Sequence, residues 1–90
     1  MIINFLIIIQ EKTMSNMNIY LNSQQDAMEF VSLVSGIPYE ADLKYGNCMV
    51  DAKSILGVLG MAIRKKATLT IYGEGPQNDI CEKLQKYAMA

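Results

Sequence analysis

From Met17 onward, apolar and polar positions alternate in patterns that mark out one element after another. Met17, Ile19 and Leu21 alternate with Asn18 and Tyr20, the two-residue period of a half-buried strand. Ser23-Gln24-Gln25-Asp26 then fits a capping box, with a hydroxyl at the N-cap and an acid three residues on. Ala27, Phe30, Val31 and Val34 follow at i, i+3, i+4 and i+7 and predict the buried face of a helix. Gly36 ends that helix, and Ile37-Pro38 prevents its continuation.

Two further alternating runs come next. Tyr39, Ala41, Leu43 and Tyr45 alternate with Glu40, Asp42 and Lys44; Cys48, Val50 and Ala52 alternate with Met49 and Asp51. Gly46-Asn47 between them predicts an antiparallel hairpin. Ser54 is placed to cap a short helix from Ile55 to about Arg64. Leu69 and Ile71, alternating with Thr68 and Thr70, form the last strand. Gly73-Glu74-Gly75-Pro76 is a loop, and Ile80, Leu84 and Ala88 mark one face of a closing helix. The order βαββαβα predicts an α+β fold: a four-stranded, mainly antiparallel sheet covered on one face by three helices. Periodicity leaves two such folds open, a ferredoxin-like sheet with an extra helix and an open-faced β-sandwich.

Helix 55–64 stands out, because apolar side chains fall on nearly every side of it and a surface helix should have a polar face. A domain this small cannot bury a helix all round. Some of Ile55, Leu56 and Leu59 should therefore face solvent, with Val58, Ala62 and Ile63 turned inward, and the exposed aliphatics suggest a surface for docking a protein partner. Gly57 and Gly60 within the helix hint at a close approach there. Arg64, Lys65 and Lys66 form a basic cluster for which complementing the helix dipole is a sufficient account.

The first sixteen residues read as an N-terminal extension to a domain spanning residues 17–90. Ile2 to Ile9 are almost wholly apolar, yet too few for a membrane span, which needs about 20 residues. No basic region or small-residue cleavage site marks a secretory signal. Codons for Gln10-Glu11 can spell a purine-rich ribosome-binding sequence ahead of an ATG at Met14. Translation is therefore expected to start at Met14, which leaves residues 1–13 outside the native protein.

Composition narrows the chemistry further. Apolar residues make up 51% and charged residues 19% of the chain, an ordinary globular balance, and the net charge of -1 gives no reason to expect nucleic acid or an anionic membrane as partner. Cys48 and Cys81 are far apart, with no CxxC pair and no histidine to complete a cluster, so no metal or cofactor is expected. Both read as free thiols of a cytoplasmic protein. No glycine-rich phosphate loop and no convincing carboxylate pair supports an enzyme.

The segment Asp51-Ala-Lys-Ser54-Ile-Leu-Gly-Val-Leu-Gly-Met-Ala-Ile resembles the regulatory-serine region of HPr, the small phosphocarrier of the bacterial phosphoenolpyruvate-dependent sugar phosphotransferase system (PTS). Lys53 to Val58 match the family's lysine, serine and aliphatic-aliphatic-Gly-Val motif. The likeness runs without gaps from about Leu21 to Pro76, through the hairpin at Leu43-Lys44-Tyr45 and the strand Leu69-Thr70-Ile71. The closing helix looks about one turn shorter than the family's. The resemblance implies the open-faced β-sandwich.

It also exposes a gap in the chemistry. The family carries its phosphoryl group on a histidine at the start of the first helix, in a Gly-Ile-His-Ala-Arg-Pro-Ala stretch. Counting back from Ser54, the histidine position holds Ser23, the arginine position Gln25 and the proline position Asp26; only Ala27 survives. The chain contains no histidine at all, and the serine phosphate that Ser23 could form is a stable ester. Asp26 and the Ser23 hydroxyl can instead occupy the helix's own N–H donors. The resemblance leaves Ser54 as the regulatory phosphorylation site. It implies HPr kinase/phosphorylase, a catabolite repressor or PTS proteins as partners, on the pattern of the catabolite-repression HPr that lacks the active histidine. The plain alternatives are a Ser54 that only caps its helix and a chain that is a decayed paralogue or structural domain.

Overall fold

Alternation in the last predicted strand sets the architecture, because that strand lies between two others. The structure, a computed structural model, describes residues 14–73 and 78–89. The apolar run Ile2–Ile9, with the rest of residues 1–13, and most of the Gly73–Pro76 loop lie outside them. The elements are β1 (Met14–Tyr20), α1 (Gln24–Ser35), β2 (Glu40–Tyr45), β3 (Cys48–Asp51), α2 (Ile55–Met61), β4 (Lys66–Tyr72) and α3 (Asn78–Leu84), closed by a 3-10 turn at Gln85–Tyr87. Strand β1 thus begins at Met14, three residues ahead of the alternation that starts at Met17.

The sheet order is β1-β4-β2-β3 and every pairing is antiparallel. Strands β1 and β2, joined through α1, run parallel with β4 inserted between them. A ferredoxin-like sheet would insert the third strand there, so the order decides for the open-faced β-sandwich. Ala67, Leu69 and Ile71 of β4 point into the core with Ile19 of β1 and Ala41 and Leu43 of β2. Against them lie Ala27, Phe30, Val31 and Val34 of α1, the face that the sequence marks. The other sheet face is polar, and Thr68 and Thr70 donate to Asn18 and Asn16 across the β1–β4 pair at 3.0 and 2.8 Å.

Three expectations are corrected. Helix α2 stops at Met61 rather than at about Arg64, because Ile63 bridges to Leu21 and the Arg64 N–H donates to the Leu21 carbonyl at 2.7 Å. Ala88 is exposed, and Tyr87, 3% exposed, takes its place in the core. The reason is geometric: the chain tightens after Leu84 into a 3-10 turn, where residues three apart share a face. Cys48, grouped with Val50 and Ala52 by alternation, is exposed at the hairpin tip.

The closing segment is tied down on two sides. Tyr87 meets the Phe30 ring edge-on at 6.1 Å, and its hydroxyl donates to Glu29 Oε1 at 2.7 Å beside a Lys86–Glu29 ion pair at 3.0 Å. Met89 N–H then donates to the Asn18 carbonyl at 3.0 Å, covering part of the outer edge of β1. Gly73, just after β4, is buried where the Tyr39 ring leaves no room for a Cβ.

Two outcomes follow from this packing. Gly73→Ala should cost about 1–3 kcal/mol through overpacking against Tyr39, read as a lower urea midpoint, and adding Tyr39→Ala should recover part of the loss. The Tyr87 phenol is held well above its ordinary pKa of 10, by burial first and by the bond to Glu29 second. Its folded pKa is raised, so its contribution is full below the unfolded value and is lost as pH rises beyond it. Tyr87→Phe should therefore lower stability at neutral pH and flatten the decline above about pH 10 in urea melts; an unchanged slope would count against this reading.

Candidate functional site

The first candidate position is the start of α1. Ser23 has the extended backbone of an N-cap (φ -150, ψ 169), and its Oγ accepts from the Asp26 N–H at 3.1 Å. Its carbonyl accepts the first helical bond, from Ala27 N–H at 3.1 Å. Asp26 Oδ2 accepts from the Asn22 N–H at 3.1 Å, so the acid reaches back one residue beyond the cap. Gln25 is exposed, and no hydrogen bond involves its side chain among the described residues. The end of the helix is thus closed by its own side chains, an arrangement that stabilises α1.

Asn22, Ser23 and Gln24 form one wall of a shallow groove whose other wall is Leu59, Ile63 and Arg64. Arg64 is a residue the sequence reading did not connect with this end of the molecule. It adopts φ 56, the left-handed region, held by its N–H bond to the Leu21 carbonyl. A cation therefore lines the groove. No local sequence signal marks it, because the backbone bond that fixes it spans more than forty residues.

Ser54 lies at the other end of α2, so Ser23 and Ser54 do not share a site. The helix between is about 10 Å long at 1.5 Å per residue. Ser54 closes a turn in which its N–H donates to the Asp51 carbonyl and the Lys53 N–H donates to Asp51 Oδ1, both at 2.9 Å. Lys53 Nζ donates to the Ile37 carbonyl at 2.7 Å, fastening this turn to the end of α1. Ser54 Oγ accepts from the Gly57 N–H at 3.3 Å, and the residue is exposed.

Along α2 the side chains divide as helical geometry requires. Val58 and Ala62 are fully buried, Ile55, Leu59 and Ile63 are half-buried against the core, and Leu56 is 80% exposed. Of the three aliphatics expected to include solvent-facing ones, Leu56 is the one that projects. The two glycines have separate explanations: a Cβ at Gly57 would meet Val50 of β3 at 3.1 Å, whereas nothing lies within 4 Å of one at Gly60. The close approach at Gly57 is therefore internal. Among the described residues no three His, Cys, Asp or Glu side chains gather as metal ligands, and no helix is long and apolar enough to cross a membrane.

Comparison with known proteins decides the family. The family model described as PTS HPr component phosphorylation site matches residues 24–89. The chain belongs to the HPr family. The matched stretch takes in Gln25, Ser54, Ile55, Leu56 and Leu59 and begins one residue after Ser23. No curated protein sequence matches the chain. Among solved structures, it is similar to the phosphocarrier protein HPr of Bacillus anthracis str. Ames, with a TM-score of 0.63 and 19% identity over 84% of this chain and 98% of that one. HPr-C-His from Thermoanaerobacter tengcongensis aligns with a TM-score of 0.57 and 19% identity, over 81% of this chain and 86% of that one. The histidine-containing phosphocarrier protein of a mycoplasma gives 0.52 and 18%, over 79% and 84%. At these identities the likeness is one of fold, and it is the HPr open-faced sandwich.

The start of α1 then reads as a cap with a measurable value. Ser23→Ala should destabilise the domain by about 1 kcal/mol, seen as a shift in thermal or urea midpoint, and Ser23→Asp should restore most of it. A substitution without effect would mean that the cap bond to Asp26 contributes nothing in solution.

Proposed function

We propose that this HPr-family chain does not transfer phosphoryl groups on histidine and instead docks protein partners in a regulatory role, through Ile55, Leu56 and Leu59, with phosphorylation of Ser54 as the switch. The observation that carries the reading is the pairing of an 80% exposed Leu56 with an exposed serine two residues before it. Large aliphatic side chains left in solvent beside a modifiable hydroxyl are a means of choosing partners.

The absence of histidine removes the group whose phosphorylated form is readily transferred. Ser23 and Asp26, already engaged in capping, offer no substitute. A phosphoryl group on Ser54 would add nearly two negative charges beside the apolar surface. Partners would favour or reject that surface according to their own charge. The enzyme that modifies it would be HPr kinase/phosphorylase, and the docking partners a catabolite repressor or PTS proteins, in the cytoplasm. The domain itself would catalyse nothing and hold no metal or cofactor.

A second reading has its own support: the Ser54 hydroxyl already accepts the Gly57 N–H, so capping alone accounts for a serine there. In that case the chain is a decayed paralogue or a structural interaction domain.

Peptide mass spectrometry on the protein from its own host, grown on a preferred sugar, separates the two. A phosphoryl group on Ser54 is the expected result; a consistently unmodified Ser54 would favour the second reading. Leu56→Asp should abolish co-purification of partners while leaving the circular dichroism spectrum native, and retained partners would remove the docking role.

A further inference from the structure

A groove of about 710 Å³ runs between α1 and the closing segment, and no residue of α2 lines it. Helix α1 contributes Met28, Glu29 and Leu33 to its walls, and the closing segment contributes Glu82, Lys83, Lys86 and Tyr87. Leu33 packs against the core and Tyr87 within it, so the base of the groove is apolar. Met28 is 56% exposed and takes no part in the core. A methionine left in solvent is a flexible apolar side chain that adapts to an opposing surface. Among the described residues no buried polar side-chain atom lacks a partner, so nothing in the groove waits to orient a small polar ligand. Its apolar base and projecting methionine suit a protein surface better.

The two walls differ in charge. The acids of α1 are Asp26 and Glu29, and that helix carries no base. The opposite wall carries Lys83 and Lys86 against Glu82. Within one domain Lys86 already reaches across to Glu29 at 3.0 Å, and both side chains stay accessible from outside. A surface that combines an acidic wall, a basic wall and a projecting methionine is its own complement. A two-fold axis through the middle of the groove lays α1 of each copy on the closing segment of the other. Glu29 of each copy then faces Lys83 of the other, and each Met28 is covered. A foreign partner would have to bring the same pairing of walls, which this chain already presents. The net charge of -1 sets little repulsion against the approach of a second copy.

We infer that the groove between α1 and the closing segment is the contact surface of a symmetric dimer of this chain. The dimer goes beyond the docking role proposed above and leaves Leu56 and Ser54 free, since neither lines the groove. Stable interfaces bury roughly 800 Å² on each side, and the groove is a small part of the domain surface. The dimer is therefore weak, and its population follows protein concentration.

The test is sedimentation equilibrium of the full chain over a range of concentrations, with nuclear magnetic resonance of the isotope-labelled chain over the same range. A monomer–dimer equilibrium is expected, with concentration-dependent amide shifts centred on residues 25–33 and 82–87. Met28→Asp, at an exposed position, should weaken the dimer roughly tenfold. Lys83→Glu and Glu29→Lys should each weaken it too, and an equimolar mixture of the two should regain it, because each reversed charge then meets the other. That recovery separates a lost contact from local damage to the Glu29–Tyr87 bond. A chain that stays monomeric throughout would overturn the inference, as would a dimer that survives Met28→Asp or a mixture no tighter than either variant alone. So would a dimer dissolved by Leu56→Asp or by Ile7→Asp, since α2 or the N-terminal apolar run would then be the contact. Partners retained by Leu56→Asp would remove the docking role and leave this dimer untouched, so the two readings fail separately.

Discussion

Every other element of the domain takes its place from β4. Its backbone pairs with β1 along one edge and β2 along the other, while Ala67, Leu69 and Ile71 project from it into the core. A strand inserted last between two earlier ones makes both pairings of β4 non-local. With the sheet fixed, α1 is the one helix long enough to lie across it, and α2 and the closing segment flank α1.

That arrangement separates the two positions where family chemistry would be sought. The start of α1 is closed by Ser23 and Asp26, and it meets α2 at that helix's far end, by Ile63 and Arg64. Ser54 sits at the near end, fastened through Lys53 to the Ile37 carbonyl. The same helix therefore joins the closed start of α1 to an exposed serine. Its outward side chain, Leu56, gains nothing from the core. An aliphatic side chain left in water in this way costs free energy in the isolated domain and returns it only when covered.

The polar sheet face contributes differently. Asn16 and Asn18 accept from Thr70 and Thr68, a cross-strand ladder that satisfies its members within the sheet. Asp42 and Asp51 stand directly opposite one another, and the Asp42 carboxylate on the neighbouring pair of positions raises the pKa of the Tyr72 phenol. The face suits water along β1, and along β2 and β3 it carries Lys44 near the hairpin and the carboxylates of Asp42, Asp51 and Glu40 toward the other end.

Much of this was legible in the chain itself. Period-two alternation and the spacing of Ala27, Phe30, Val31 and Val34 determined the elements and their buried faces, since only one register of each hides its apolar side chains. The serine caps were legible too, because a hydroxyl followed by free N–H groups is a local matter. Tertiary structure alone decided the rest. The strand order distinguished two folds of identical periodicity. Bonds from Ile63 and Arg64 back to Leu21 cut α2 short, and a 3-10 turn replaced Ala88 by Tyr87 in the core. In each case a partner distant in sequence outweighed the weak local preference to continue a helix, and such a preference, a fraction of a kcal/mol per residue, cannot announce its own defeat.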